Sequence, residues 1–323
     1  MEKLSKFGFL LLVSLILILY LVSSTELIYS DDADHEIYNI SVIIDDTTDS
    51  TWQNYKKGME QAAMEFNVDV SFITLYSEQN ASEQLDFIKR EVQAGAQAIV
   101  LAAVDSTEIT YGLKNFNALP HLVTIQTQLG SEEVDASILS NGSQLGEKLG
   151  NLIVEDLKKE KPNLPIYIFP GNTKQTSSNE RLQGLLQVLE LNQYEYNIKD
   201  VKQEEIKQSM IEASQSTPNC IFVALDTNLL SVMAEYQLSA KDENDRRIYG
   251  VGYTNFILSS LEKEQLSGII VENDYLKGYL SIEAAVSFIN KKQVESEVIL
   301  DTFLITPKTV HDREYEILLY PIS

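Results

Sequence analysis

A short stretch of the chain combines carboxylates with the single tryptophan of the sequence. Asp45, Asp49 and Trp52 follow the apolar run 40–44 directly, and an amphipathic pattern occupies residues 50–66. An apolar β-rich run followed at once by helical periodicity predicts a strand–helix unit, and such sheets bind ligands at the carboxyl ends of their strands. Carboxylates accept hydrogen bonds from hydroxyl groups, and an indole ring offers a flat apolar surface. The stretch is therefore suited to a hydroxyl-rich ligand.

Composition narrows the classes of function. The chain has 323 residues, which is enough for two domains, and a formal net charge of −23. That charge argues against nucleic acid and against an anionic membrane surface as partners. The lone Cys220 cannot form an internal disulfide, and the three histidines share no metal-ligand spacing. No zinc signature, glycine-rich phosphate loop or nucleophile elbow is present, so we expect no metal, no cofactor and no enzymatic activity.

The N-terminal segment differs in kind from the rest. Residues 7–25 are uncharged and apolar, and Lys3 and Lys6 precede them. As a helix they would span roughly 28 Å, close to the thickness of a bilayer core. We expect a membrane anchor with its N-terminus inside, an acidic tether over residues 26–38, and an extracytoplasmic body. The alternative is a signal peptide cleaved near residues 22–24, which would leave a secreted protein.

Strand-like and helix-like segments alternate along the rest of the chain. Capping patterns mark several predicted helix starts: Ser50 with Gln53, then Asn80, then Asp105. Gly95 is placed to end the helix that Asn80 begins. Two successive blocks of this alternation predict an α/β protein with two Rossmann-like lobes, because parallel strands need helical crossovers.

Several motifs appear together in a characteristic order. They are Asp45-x-x-x-Asp49-x-x-Trp52 with Gly58, residues 80–99, the strand 119–125, Ser140-Asn141 before Gly146, Asn179-Glu-Arg181-x-x-Gly184, Asp226 after an apolar strand, and Gly250-Val-Gly252. In order and spacing the sequence resembles the type I periplasmic binding proteins, the ribose- and galactose-like sugar-binding components of ABC transporters. The resemblance covers nearly all of residues 38–310.

The resemblance implies a discontinuous domain organisation. In that family the chain crosses between lobes three times, and the matching positions lie near Ser140, Glu272 and Leu304. Lobe one would comprise residues 39–139 plus 273–303. Lobe two would comprise residues 140–272 plus 304–323. The crossings together would form the hinge.

The resemblance also implies a ligand site between the lobes. The implied ligand-binding residues are, in lobe one, Asp45, Asp49, Trp52, Gln126 and Thr127 and, in lobe two, Asn141, Asn179, Asp226, Thr254 and Glu272. Gln126, Asn179 and Thr254 stand where the family usually has charged groups, which predicts weaker affinity or a changed ligand.

Other roles remain open for some of these residues. Trp52 is either a stacking platform or a core residue of its helix. Asn141 and Asp226 are equally suited to capping helices, and Arg181 to bracing lobe two.

Two functional hypotheses follow. The first is an extracytoplasmic solute-binding protein that closes on a sugar or similar polar molecule and presents it to an ABC importer's membrane subunits or to a sensor kinase. The second is a non-binding sensor or scaffold of the same fold that interacts with a two-component system. A transcriptional repressor of the same fold would need a basic N-terminal DNA-binding domain. The chain has the apolar segment 7–25 there instead, which argues against a repressor.

Overall fold

The computed structural model describes residues 37–160, 164–240 and 246–321, together with residues 8, 12–17 and 20. The predicted anchor 7–25 and tether 26–38 therefore lie mostly outside the described residues. Within the described part of the chain, no helix is long and apolar enough to cross a membrane.

The body of the protein, which begins at Tyr38, contains two sheets. In the described residues the first sheet has six strands in the order β11-β5-β4-β3-β1-β2, all parallel. Its strands are β1 (Tyr38–Ile43), β2 (Val68–Ile73), β3 (Ala98–Leu101), β4 (His121–Ile125), β5 (Ala136–Ser140) and β11 (Glu297–Leu300). The helices of this lobe are α1 (Gln53–Phe66), α2 (Ala81–Ala94), α3 (Ser106–Leu113) and α9 (Asp274–Ile289). Apolar cores cover both faces of the sheet.

The second sheet repeats this architecture. Its described strands follow the order β12-β10-β9-β8-β6-β7, and only β10 and β12 pair antiparallel. They are β6 (Ile166–Phe169), β7 (Tyr196–Ile198), β8 (Cys220–Ala224), β9 (Arg246–Val251), β10 (Gly268–Glu272) and β12 (Thr302–Ile305). Its helices are α4 (Gly142–Glu160), α5 (Thr176–Leu191), α6 (Ile206–Ser216), α7 (Thr227–Ser239), α8 (Asn255–Glu262) and α10 (Arg313–Leu319). The predicted α/β class with two mostly parallel sheets is confirmed.

Strand order shows where the chain passes between the sheets. It leaves the first sheet after β5, returns after β10, and leaves again between β11 and β12, at Asp301. Leu304 itself pairs with Ile270 inside the second sheet. The strands around the second and third passages, β10, β11 and β12, lie at or next to one edge of each sheet, and β2 and β7 lie at the opposite edges.

In each lobe, two helices pack closely against each other at a glycine. A Cβ built on Gly58 of α1 would lie 1.8 Å from the carbonyl oxygen of Tyr275 in α9. In the other lobe, a Cβ on Gly146 of α4 would lie 2.0 Å from the carbonyl oxygen of Arg181 in α5. Only glycine permits backbones to approach this closely.

The predicted helix boundaries are largely correct, with one exception. Asn80 and Asp105 accept backbone N–H bonds as caps, and Gly95 ends α2 with φ 88°. The predicted capping box at Ser50 is wrong, because α1 begins only at Gln53. The Gln53 side chain donates from Nε2 to the Asp49 carbonyl instead.

Candidate functional site

A cleft of about 790 Å³ lies between the two sheets. Its lining comes from segments that follow the carboxyl ends of strands: Asp45–Trp52 after β1, Gln126 after β4, 171–181 after β6, 200–205 after β7, 226–229 after β8 and Glu272 at the end of β10. Both sheets thus present their carboxyl edges to one space, which is where open α/β sheets bind ligands.

One end of the cleft contains three carboxylates, Asp45, Asp46 and Asp226, which we call the Asp45 end. Gln175 Nε2 donates to Asp45 Oδ2, and Asn228 Nδ2 donates to Asp46 Oδ2 at 2.8 Å. Both donors belong to the opposite lobe, so they act across the cleft. Asp226 Oδ1 accepts the backbone N–H groups of Asn228 and Leu229 and thereby caps α7.

The carboxylates of the Asp45 end accept hydrogen bonds from amides, and the one cation among the described residues that acts on them, Arg181 on Asp226, does so without forming an ion pair. Within the described chain, no lysine or arginine forms an ion pair with any of the three. Burial raises the pKa of Asp45 to about 7, against the hydrogen bond from Gln175, and the charges of Asp46 and Asp226 add to the rise. Burial likewise raises the pKa of Asp226. Closing the cleft therefore places like charges together in a poorly solvated space.

The other end, which we call the Arg181 end, contains an ion network. Lys277 is 1% exposed, and its Nζ lies 3.1 Å from Asp274 Oδ1 and 3.5 Å from Glu272 Oε1. Arg181 Nη2 lies 4.0 Å from Glu272 Oε2, and Nη1 donates to the carbonyl oxygen of Leu225 at 2.6 Å. Arg181 therefore braces lobe two while also lining the cleft.

The pKa values at this end reflect the network. Burial alone would raise the pKa of Glu272, but Lys277 and Arg181 outweigh it and lower the pKa to about 2. Burial raises the pKa of Asp274, because Lys277 offsets it only in part. Burial would lower the pKa of Lys277, but Glu272 and Asp274 raise it. Two cations face two carboxylates here, so the charge is balanced.

Trp52 forms part of the cleft wall but is 6% exposed. Its ring packs edge-on against Tyr55, with centroids 5.3 Å apart, inside the core between the first sheet and α9. The Tyr55 hydroxyl in turn bonds Ser281 Oγ at 2.8 Å. The exposure and packing of Trp52 favour the core interpretation over the stacking platform.

The structure brings five of the predicted residues to this cleft: Asp45, Trp52, Gln126, Asp226 and Glu272. Gln126 has φ 63° there, an unusual left-handed conformation for a residue other than glycine.

The other five predicted residues lie outside the lining. Asp49 pairs with Lys56 at 2.8 Å, and Thr127 is fully buried with its hydroxyl against Ser106. Asn141 and Thr254 cap α4 and α8, and Asn179 is exposed on α5. Asn141 also lines a smaller depression of about 330 Å³ beside Gln126. A ligand contact at these positions remains a prediction from the resemblance.

Sequence reasoning missed most polar residues of the lining, among them Asp46, Asn172, Gln175 and Asn228. Asp46 and Asn228 stand one and two residues from predicted ligands, so their positions after strand ends are a usable signal. Gln175 and Asn172 precede α5 in a polar loop with no such signal.

A model of the periplasmic binding protein domain matches residues 40–293. The chain belongs to this family. Among its curated relatives is the ribose import binding protein of Bacillus subtilis (strain 168), 23% identical over 294 residues that cover 86% of this chain and 90% of the relative.

Solved periplasmic binding proteins share the fold. A carbohydrate transporter solute-binding protein from Agrobacterium radiobacter in complex with D-arabinose superposes with a TM-score of 0.79 at 17% identity, covering 88% of this chain and 99% of the other. A solute-binding protein from Agrobacterium vitis with bound D-fucose gives a TM-score of 0.79 at 16% identity, covering 87% and 100%.

Proposed function

We propose that this protein is an extracytoplasmic solute-binding protein that closes its two lobes on a monosaccharide or similar small polar ligand. The observation that carries the proposal is the cleft of about 790 Å³ between the carboxyl edges of the two sheets. Its volume falls in the range typical of small-molecule sites. Side-chain amides and carboxylates from both lobes line it, and these groups suit hydroxyl-bearing ligands.

The relatives support a sugar as the ligand class. Ribose, D-arabinose and D-fucose are each named with a relative or a structural neighbour. Arg181 is the arginine of the described lining, and its guanidinium offers planar N–H donors to ring hydroxyls.

The partner follows from the same relatives. Closure of the lobes changes the surface that the protein presents, so occupancy becomes a shape that another protein can recognise. We propose the membrane subunits of an ABC importer as that partner. The relatives reported above give no support to the sensing alternative.

We also propose that residues 7–25 retain the protein at the membrane with its body outside. Their uncharged length and the preceding lysines support this orientation. Intact mass measurement of protein extracted from native membranes tests the idea. A mature chain that starts near residue 25 and occurs in the soluble fraction would show cleavage instead.

A thermal-shift titration tests the ligand class. A ligand that binds the folded state selectively must raise the unfolding midpoint. D-ribose, D-arabinose, D-fucose and a panel of polyols are the probes, and at least one should raise the midpoint in proportion to the logarithm of its concentration. Arg181→Ala should abolish the rise, whereas Arg90→Ala, on the exposed face of α2, should preserve it. A panel without any stabilising member would contradict the proposed function.

A further inference from the structure

The two lobes meet along a row of hydrogen bonds beside the cleft, which we call the seam. Ser106 N donates to the Lys174 carbonyl at 3.1 Å, and Thr176 N donates to Ser106 Oγ at 2.9 Å. Asn172 Nδ2 donates to the Val104 carbonyl at 2.6 Å. The acceptors and donors of each bond belong to different lobes, so the seam exists only when the lobes are closed.

Gln175 is the member of the seam that reaches the cleft carboxylate Asp45. It is 8% exposed and stands at the N-terminal end of α5 in lobe two. Its Nε2 donates both to the Ala103 carbonyl at 2.9 Å and to Asp45 Oδ2, and both acceptors belong to lobe one. Its Oε1 accepts from Ser178 Oγ at 3.1 Å, which fixes the orientation of the amide. Each polar atom of the side chain thus has a partner in this closed arrangement.

We infer that Gln175 is a positioning residue that couples lobe closure to the placement of Asp45, and that the seam it completes populates the closed state without a ligand. The inference rests on the proposed function in one respect, namely that the lobes open and close. Asp45 lines the cleft, and the donor that holds it comes from the opposite lobe. Opening would therefore separate the carboxylate from the amide, and the hydrogen bonds of Gln175 to lobe one would be exchanged for hydrogen bonds to water.

The charged surroundings make a charge-swap test possible. The acids that face Asp45 are Asp46 from its own lobe and Asp226 from the other. Gln175→Glu would add a further carboxylate at hydrogen-bond distance, so the closed state would need a proton that the two groups share. The double change Asp45→Asn with Gln175→Glu restores the hydrogen bond between these two side chains with its direction reversed, and the Ala103 carbonyl lacks its donor in the single and the double variant alike.

The experiment measures the distance between two spin labels in the ligand-free protein. The single native cysteine, Cys220, is buried, so labels attach selectively to Lys89→Cys on α2 and Lys207→Cys on α6. These exposed positions follow β2 and β7, the strands at the edges opposite the second and third passages, and their separation therefore reports opening.

We expect the wild type to have a closed population at about pH 8. The ratio of closed to open protein should fall roughly tenfold or more in Gln175→Glu, since a hydrogen bond to a charged group is lost. Gln175→Glu should regain closed population near pH 5, where the shared proton binds, and the double variant should be more closed than Gln175→Glu at pH 8 and should vary less with pH. Gln187→Glu, an exposed glutamine on the same helix, is the matched control and should behave as the wild type.

Three results would overturn the inference: a ligand-free wild type without a closed population, a Gln175→Glu variant that closes as the wild type does at both pH values, or a double variant that is no more closed than Gln175→Glu at pH 8. Because no sugar is added, these results are independent of the thermal-shift titration. A failed sugar panel with the expected closure behaviour would overturn the proposed function alone.

Discussion

Both ends of the cleft contain carboxylates, but in the described part of the chain only those of the Arg181 end form ion pairs. At the Arg181 end, Glu272 and Asp274 have Lys277 within 3.5 Å, and all three stand within six positions of one another at a passage between the sheets. At the Asp45 end, Asp45 and Asp46 come from one lobe and Asp226 from the other, and their hydrogen-bond donors are side-chain amides, backbone N–H groups and the Thr51 hydroxyl.

The difference follows from which groups move relative to each other. Neighbours along the chain at a crossing stay together whether the lobes are open or closed, so a permanent ion network can form there. Carboxylates on opposite lobes are separated and solvated when the cleft opens, and they lose water when it closes. A permanent cation between them would hold the lobes together, whereas amide donors and protonation allow a reversible contact.

The largest expected effect is the removal of the cation at the Arg181 end. Lys277→Met leaves Glu272 and Asp274 buried without their main counter-charge, which should cost about 3–5 kcal/mol of unfolding free energy. Urea denaturation measures the loss, which should shrink as pH falls and the carboxylates take up protons. Lys159→Met removes an exposed lysine, paired with Glu155 at 3.8 Å, and should cost less than about 0.5 kcal/mol. Equal losses in the two variants would contradict the network's importance.

Substitution of Trp52, an uncharged residue of the cleft wall, provides the comparison for the charged Lys277. Trp52→Ala removes a ring that is 6% exposed and should cost about 3–5 kcal/mol of stability through lost packing. Unlike the Lys277 effect, this loss should be independent of pH. Tyr76→Ala, at an aromatic residue that is 81% exposed, is the matched control with little expected effect. A small stability loss combined with weakened sugar binding would instead restore the stacking interpretation.

The sequence indicated this contrast only in part. The strand-end position identified Asp45 as a cleft residue, because ligands bind at the carboxyl ends of parallel strands. The resemblance to the periplasmic binding proteins added Asp226 and Glu272. Lys277 lies within the helical pattern that follows residue 274, and nothing local distinguishes it from a solvated lysine. Gln175 acquires its role from the meeting of two lobes, and long-range contacts of this kind leave no local signal. The spacing of Asp49 suggested a ligand contact, but its carboxylate forms an ion pair with Lys56, one turn into α1.

At the Asp45 end we expect a pH-dependent difference. The pKa of Asp45 in the folded protein lies above its unfolded value, so the folded state binds that proton more tightly between about pH 4 and 7. The contribution of Asp45 to stability therefore falls as pH rises through this window. Asp45→Asn should gain about 2 kcal/mol relative to the wild type between roughly pH 5 and 8, after a discount for partial exposure. Denaturation curves at both pH values measure it.

The control for this gain is Asp69→Asn, at an exposed position of β2. Its difference from the wild type should not vary across the same pH range. If the Asp45→Asn difference is equally flat, the carboxylate is ionised at little cost, and the contrast between the two ends fails.

The smallest expected effect compares two aspartates with the same local role. Asp226 and Asp105 each cap a helix by accepting two backbone N–H bonds. Lys174 Nζ lies 3.8 Å from Asp105, whereas Arg181, whose charge lowers the pKa of Asp226 against the effect of burial, forms no ion pair with it. Asparagine caps helices about as well as aspartate, so Asp→Asn removes charge while preserving the cap. Near neutral pH, Asp226→Asn should raise the unfolding free energy by roughly 0.5–1 kcal/mol, because burial disfavours the charge. Asp105→Asn should lower it by at most about 0.5 kcal/mol through the lost ion pair. Changes of the same sign in thermal or urea unfolding would mean that cap geometry outweighs the uncompensated charge at the Asp45 end.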